Sequence, residues 1–338
     1  MMGDKAMAKR MAEDAGVPTT PGSPGAVSNL VEAKAVAAKL GYPVILKASA
    51  GGGGRGMRVV WDEKDIAEYY ADAAREAKAA FGDDSIYVEK YLTGIRHVEI
   101  QILSDGESVL HLGERDCSIQ RRNQKLVEES PCPVLDEEMR TKIGEAAVRL
   151  CRHVAYRSAG TIECILDGRN GQFYFMEMNT RIQVEHPVSE LVTGVDIVKE
   201  QIRIAQGYPI SMRQSDIHLR GHAIECRINA EDADNGFAPC PGRVHYFHMP
   251  GGPGIRVDSH IYSGYQIPPY YDSLLAKIIA WGQNREEAIA RMRRALFEMR
   301  VEGVKTTIPF HEKLLCNEQF RRGDVHTQFV ENVLLEGK

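Results

Sequence analysis

The run Glu177-Met178-Asn179-Thr180-Arg181-Ile182-Gln183-Val184-Glu185-His186-Pro187 constrains this chain more than any other stretch. It follows Phe173-Tyr174-Phe175, an apolar strand that has to be buried, so the charged segment leaves from the end of a buried strand. If residues 181–185 are extended, side chains alternate: Arg181, Gln183 and Glu185 share one face and Val184 points away. A guanidinium, an amide and a carboxylate then converge on one small space, as a small oxyanion that must also lose a proton requires. Pro187 disfavours the helical region for His186 and is suited to open the next helix. The competing reading of the same residues is a solvated charged loop.

A chain of 338 residues allows a large core and two or three lobes. The net charge of −5 leaves no electrostatic footprint for nucleic acid or an anionic membrane. Seven cysteines, scattered and never in a CxxC pair, fit a reduced, cytoplasmic protein without a zinc site. The most apolar stretch, 274–281, is short and carries Lys277, so it does not span a bilayer, and no signal peptide opens the chain. Met2-Gly3-Asp4-Lys5 runs straight into a helical pattern, which reads like the middle of a protein.

Periodicity predicts a helix over 29–40, closed by Gly41 and Pro43. Strands at 43–46 and 58–61 are joined by the glycine loop 51–56, and a helix at 64–81 and a strand at 85–92 complete a compact lid. Strands at 98–102, 108–112 and 161–166 follow, with a helix at 136–155 before the last and a hairpin return at 173–177. A helix over 188–206, strands at 222–229, 243–248 and 274–281, and an amphipathic helix at 285–299 finish the chain. Runs of strands with segregated helices indicate antiparallel sheets and an α+β class.

Three places carry chemistry. The loop from Lys47 through Gly51-Gly52-Gly53-Gly54 joins two apolar strands; it lacks a Walker ending, and a mobile phosphate flap competes with a plain linker. With 167–171 as a turn, Glu163 and Glu177 fall opposite each other on one hairpin face. Like charges so placed destabilise a sheet unless a divalent cation sits between them, and Asn179 adds an oxygen on the same side; a register one residue different would separate them. Glu89-Lys90-Tyr91-Leu92 ends a strand that suits an adenine edge, although an ordinary strand end explains it as well. The basic cluster 115–125 reads equally as solvated surface, and Arg227, sharing a strand face with Glu225, reads first as a paired structural arginine.

Six ordered motifs, KASAGGGGRGM, EKYL, RDCSIQRRNQK, GTIEC, EMNTRIQVEHPVSE and GHAIECRINAED, together closely resemble biotin carboxylase, the ATP-grasp component of acetyl-CoA carboxylase and related biotin-dependent carboxylases. The resemblance covers essentially the whole chain. It implies a linker helix (1–19), a mobile ATP-grasp lid (20–91), a core with metal and bicarbonate sites (92–210) and a C-terminal biotin carboxylase domain (211–338). It also implies a preceding Rossmann-like domain of about a hundred residues, which this chain is expected to lack. Two positions depart from the pattern: Asn123 stands where many relatives carry histidine, and Ala50 replaces a frequent glycine.

The implied reaction is attack of bicarbonate on the γ-phosphate of ATP, giving carboxyphosphate, then carboxyl transfer to biotin on a carrier protein. The resemblance assigns Lys5, Lys47, Gly53 and Gly54 to phosphates, and Glu89, Lys90, Tyr91, Leu92, His97, Gln120, Asn123 and Ile165 to the rest of ATP. It assigns Glu163, Glu177 and Asn179 to Mg²⁺ or Mn²⁺, and Lys125, Arg181, Gln183 and the Val184 amide to bicarbonate. Glu185 becomes the general base and Arg227 the residue facing biotin. Expected partners are a separate biotin carboxyl carrier protein and carboxyltransferase subunits. The family homodimer is expected to be weakened and turnover slowed by the missing domain, in a cytoplasmic enzyme of fatty acid synthesis. Two rivals remain: another ATP-grasp ligase of the carbamoyl phosphate or purine carboxylase type, and a nucleotide-binding fragment without turnover.

Overall fold

Capping residues set the helix boundaries in the computed structural model, which describes Met2 and residues 5–48 and 57–335, without the side chains of Lys5, Ala6 and Phe81. The chain divides into two compact units, residues 1–94 with 167–177 and residues 95–166 with 178–338. The first unit opens with α1 (Lys5–Asp14) and α2 (Leu30–Leu40). Asn29 caps α2, its side chain accepting from the Glu32 amide at 3.0 Å. Strand β1 (Val44–Ala48) lies between β2 (Met57–Val60) and, after α3 (Ile66–Phe81), β3 (Ile86–Lys90), all antiparallel. Alternation buries Val44 and Leu46 of β1 with Ile86 and Val88 of β3 against Ala33 and Ala37 of α2 and Ile66, Ala73 and Ala77 of α3. The chain before α2 lies against β3, Gly22 bridging Glu89. A Cβ on Gly22 would stand 2.8 Å from the Val88 carbonyl oxygen, so glycine is required there for close approach.

In the second unit, β4 (Ile95–Asp105), β5 (Val109–Arg121) and β6 (Gln124–Ser130) form a meander. Then come α4 (Glu137–His153), β7 (Arg157–Asp167) and β8 (Gln172–Asn179), whose residues 172–177 belong to the first unit; there the Phe175 amide donates to the Pro18 carbonyl at 2.7 Å. Next are α5 (His186–Thr193), α6 (Ile197–Ala205), β9 (His222–Asn229), the two-residue strands β10 (Glu231–Asp232) and β11 (Ala238–Pro239), β12 (Tyr246–His248), β13 (Ile255–Ser259) and β14 (Leu274–Gly282). The described chain closes with α7 (Arg285–Glu298), β15 (Arg300–Glu302), α8 (Ile308–Cys316), α9 (Glu318–Arg322) and a last helical stretch, Val330–Leu335.

The main sheet of this unit runs β13-β14-β9-β6-β5-β4-β7 and ends in β8, of which Met178 and Asn179 belong here. On β9 the period of two divides the work. Ile224, Cys226 and Ile228 join Ile278 and Ala280 of β14 in a core with Ala288, Ile289, Met292 and Leu296 of α7. Glu225 and Arg227 take the opposite face, where Ala223 and Ile279 pack on Val188 and Val192 of α5. The functional side chains collect on this second face.

The α+β class with antiparallel sheets agrees with the sequence expectation, and β9, β14 and α7 lie where it placed them, to within a residue. Four local expectations change. The single helix over 188–206 is two helices, because Gly194 takes a left-handed φ of 75° and caps α5. His186 is the first helical residue of α5, with Pro187 at the next position, because helix hydrogen bonding outweighs the restriction that proline puts on its predecessor. Residues 115–125 are a largely buried strand and hairpin rather than solvated surface: Arg122 and Asn123, both at positive φ (50° and 63°), form the exposed two-residue turn between β5 and β6. Residues 181–185 are a loop and turn, not a strand. The glycine loop, with Gly53 and Gly54, and the side chain of Lys5 lie outside the described residues.

Candidate functional site

The site is built on the polar face of the second unit around one cation. Lys125, at the start of β6, extends its Nζ to Glu99 Oε2 on β4 at 2.6 Å, Glu185 Oε1 ahead of α5 at 2.6 Å, and Glu163 Oε1 on β7 at 3.1 Å. Three strands and a helix start therefore meet at one ammonium, which is only 13% exposed. Burial alone would lower the proton affinity of Lys125; Glu99, Glu185 and Glu163 among its neighbours outweigh that and hold it charged.

Each carboxylate has further partners. Glu99, fully buried, also accepts from Arg115 Nε at 2.6 Å. Burial would raise its pKa, but Arg115 and Lys125 hold it at about 2. Glu163 Oε1 accepts from Gln183 Nε2 at 2.7 Å and Asn179 Nδ2 at 2.9 Å, while Oε2 lies 3.0 Å from His97 Nε2. Its burial is likewise outweighed, first by the hydrogen bond and charge of His97, and its pKa falls. Glu185, 2% exposed, is shared between Lys125 and Arg227, whose Nη2 is 3.0 Å from Oε2. Arg227 Nε is held by Glu128 Oε1 at 2.7 Å. A buried pair of this kind costs desolvation and stays only while its partners remain, so removing one member leaves an uncompensated charge.

The segment carrying Gln183 and Glu185 is fixed from two sides. Arg115, fully buried, reaches Gln101 at 2.7 Å, Ser189 at 3.1 Å, Gln183 at 3.2 Å and Thr161 at 3.3 Å. Lys277 on β14 donates to the Val184 carbonyl at 2.8 Å. Burial follows the expected alternation in part: Gln183 and Glu185 turn inward, but Arg181 is exposed and donates to its neighbour's Ile182 carbonyl at 3.2 Å. The structure thus brings together Lys125, Gln183, Glu185, Glu163, Asn179, His97 and Arg227, and leaves Arg181 at the rim.

Of the residues expected at the nucleotide, Gln120 bonds His97 Nδ1 at 2.8 Å, Ile165 is half-buried two residues beyond Glu163 on β7, and Asn123 forms the exposed turn. In the first unit Glu89 Oε2 meets Lys47 at 2.5 Å and its Oε1 meets Lys9 at 2.9 Å; burial would raise Glu89, and the two lysines lower it. Lys90 Nζ donates to the Gly41 and Tyr42 carbonyls at 2.9 and 3.2 Å, Tyr91 packs edge-on against Trp61, and Leu92 is buried. Glu177, half-buried on β8, also belongs to the first unit.

Three groups here are spaced as the ligands of a cation could be, although Lys125 neutralises two of them in this structure. Among the described residues, ligand atoms of His97, Glu99 and Glu163 lie within 4.8 Å of one another, and Asn179 adjoins Glu163. Oxygen donors dominate, as magnesium demands. The sequence reading missed Glu99, Arg115, Glu128 and Lys277. Val98-Glu99-Ile100-Gln101-Ile102 alternates apolar and polar residues, which reads as a strand with one wet face and so hides a buried Glu99.

Residues 4–213 match the family described as the ATP binding domain of the carbamoyl-phosphate synthase L chain, and residues 225–332 match the biotin carboxylase C-terminal domain. Over 334 residues the chain is 57% identical to a biotin carboxylase of Nostoc sp., covering 98% of this chain and 74% of that protein. It is 53% identical to a pyruvate carboxylase subunit of Methanothermobacter thermautotrophicus, covering 98% and 67%. Among solved structures, the Campylobacter jejuni biotin carboxylase–β,γ-ATP complex superposes with a TM-score of 0.92 at 48% identity, covering 98% and 74%. The biotin carboxylase domain dimer of Hydrogenobacter thermophilus 2-oxoglutarate carboxylase, in complex with MgADP, ADP and bicarbonate, does so with a TM-score of 0.91 at 51% identity, covering 98% and 73%.

Proposed function

The chain belongs to the biotin carboxylase family, an ATP-grasp ligase family, and on that premise we propose that it carboxylates biotin on a carrier protein, using bicarbonate and ATP through carboxyphosphate. The observation that supports this reading best is the buried Glu185 carboxylate spanned by Lys125 at 2.6 Å and Arg227 at 3.0 Å. Lys125, on releasing one of its carboxylate partners, and Gln183 would donate to a bicarbonate lying beside Glu185, whose carboxylate then takes the proton and makes the oxygen nucleophilic. Arg227, on the other side of Glu185, offers its guanidinium to the ureido oxygen of biotin as negative charge develops there. Glu163 and Asn179 would hold magnesium, or manganese, which when bound with the nucleotide neutralises charge on the phosphates. Arg181 at the rim is proposed as a second cation for bicarbonate, and the first unit's Lys47, Glu89, Lys90, Tyr91 and Leu92 as nucleotide contacts.

The wider setting proposed is the first half-reaction of acetyl-CoA carboxylase, with a separate carrier and carboxyltransferase subunits, in the cytoplasm. It rests on the relatives named simply biotin carboxylase; the pyruvate and 2-oxoglutarate carboxylase likenesses offer keto-acid acceptors instead. ATP hydrolysis assayed with and without free biotin and bicarbonate tests the chemistry. Release of phosphate that depends on both is expected. Hydrolysis indifferent to biotin, or stimulated by ammonia, would put the chain among the other ATP-grasp ligases.

A further inference from the structure

Behind Arg227 stand two carboxyl groups that the proposed reaction does not use. Glu128 on β6 and Glu225 on β9 are direct cross-strand partners, and both side chains are fully buried. Glu128 spends Oε1 on Arg227; among the described residues its Oε2 has no hydrogen-bond partner, and Glu225 has none on either oxygen. Opposed side chains on an antiparallel pair lie about 4.5–5.5 Å apart at Cβ. Two buried carboxylates so placed repel, and an unpaired buried charge is too costly to persist.

We propose that Glu225 is a positioning residue that stays protonated and donates its O–H to Glu128 Oε2, so that Glu128 alone carries charge and aims Arg227 at the biotin subsite. One proton shared between the two carboxyl groups then satisfies two of the three orphaned oxygens. The charged groups facing Glu225 are Glu128 from β6, Lys277 from β14, Glu185 ahead of α5, and Arg227 on its own strand. Lys277 is bonded to the Val184 carbonyl and Arg227 to Glu128 and Glu185, so neither cation bonds Glu225, and their charges only partly offset its burial. Burial, then the charge of Glu128, push Glu225 well above the usual carboxylate range. Glu128 is lifted less, because Arg227 opposes its burial. A second anion here would draw Arg227 back from Glu185 and from biotin. The inference rests on the biotin reading only for what Arg227 does, not for where the proton sits.

The test uses the whole chain. At neutral pH and without substrates, the infrared spectrum should show a protonated-carboxyl band that disappears in Glu225→Gln; a band that persists unchanged overturns the proposal. In biotin-dependent ATP hydrolysis, Glu225→Leu should slow turnover roughly ten- to a hundredfold, the worth of a hydrogen bond to a charged group, with little change in the KM for ATP. Glu225→Gln should recover most of that loss, because its amide donates to the same oxygen, and should lack the alkaline decline that ionisation of Glu225 gives the wild type. A glutamine variant as slow as the leucine variant also overturns the proposal. If the leucine variant does not fold, the glutamine pH profile and the infrared band decide. If the wild type shows no biotin dependence, the proposed function fails while the band still reports on Glu225.

Discussion

Glu185 illustrates how much one carboxylate can be asked to do. It is held by two cations yet is proposed to accept a proton, so its substitution separates chemistry from binding. Glu185→Gln should lower the rate constant of biotin-dependent ATP hydrolysis by about 10²–10⁴, the usual worth of a positioned base, with the KM for ATP little changed. A change confined to the KM for ATP would remove Glu185 from this role. Glu129, on the neighbouring position of β6, gives a stability prediction instead. It accepts from His222 at 2.7 Å and from Arg285 at 2.6 Å. Burial would lift its pKa from 4.5, but the His222 hydrogen bond and the Arg285 charge hold it at about 2. A depressed carboxyl contributes stability above its unfolded pKa that drains as pH falls towards the folded one. The melting temperature of the wild type should therefore fall more steeply than that of Glu129→Gln between about pH 5 and pH 3. Parallel curves would show that Glu129 does not contribute there. At this scale the site was legible where residue types cluster, as in 177–187. It was not legible for Glu99, which pairs with Arg115 across the β4–β5 hairpin, or for Arg115, whose other partners Thr161, Gln183 and Ser189 lie far along the chain.

Among the elements, the β5–β6 hairpin shows why polarity misleads. Residues 115–120 look like surface, yet β5 is buried along nearly all of its length, because its sheet is covered on both faces and the polar residues satisfy one another. Alternation of apolar and polar residues reports burial only when one face meets water. Helices α2 and α7 were legible because each presents one apolar stripe and an asparagine cap. The break at Gly194 was not, because apolar spacing continues across it. The turn also accounts for Asn123, a departure from the family pattern: its φ of 63° is one that asparagine and histidine tolerate and branched residues do not. Asn123→His should leave stability nearly unchanged, whereas Asn123→Val should cost about 1–2 kcal/mol in denaturant unfolding. Equal costs would mean that the turn relaxes away from the left-handed region.

For the whole molecule, nucleotide binding should register as stability. A ligand at about a hundred times its Kd adds about 2.7 kcal/mol to a fold that alone binds it. Mg-ATP should therefore raise the melting temperature clearly more than ATP without metal, and Glu163→Gln should abolish most of that difference. An undiminished metal-dependent rise in Glu163→Gln would refute the metal assignment. Such shifts read each unit's transition separately if the two melt apart.

The pairing of β6 with β9 also sets a timetable for synthesis. About ninety residues separate the end of β6 at Ser130 from the start of β9 at His222. At translation rates of about 5–20 residues per second the ribosome takes roughly 5–18 s to cover that gap. During this interval β6 presents an open strand edge, with Glu128 and Glu129 still wet and Arg227 not yet made. Charge on a waiting edge discourages pairing with a neighbouring chain, so these carboxylates are expected to guard the strand until Glu128 meets Arg227 and Glu129 meets His222 and Arg285. Replacing Glu128 and Glu129 together by apolar residues should therefore harm yield during synthesis more than it harms refolding of purified protein at high dilution.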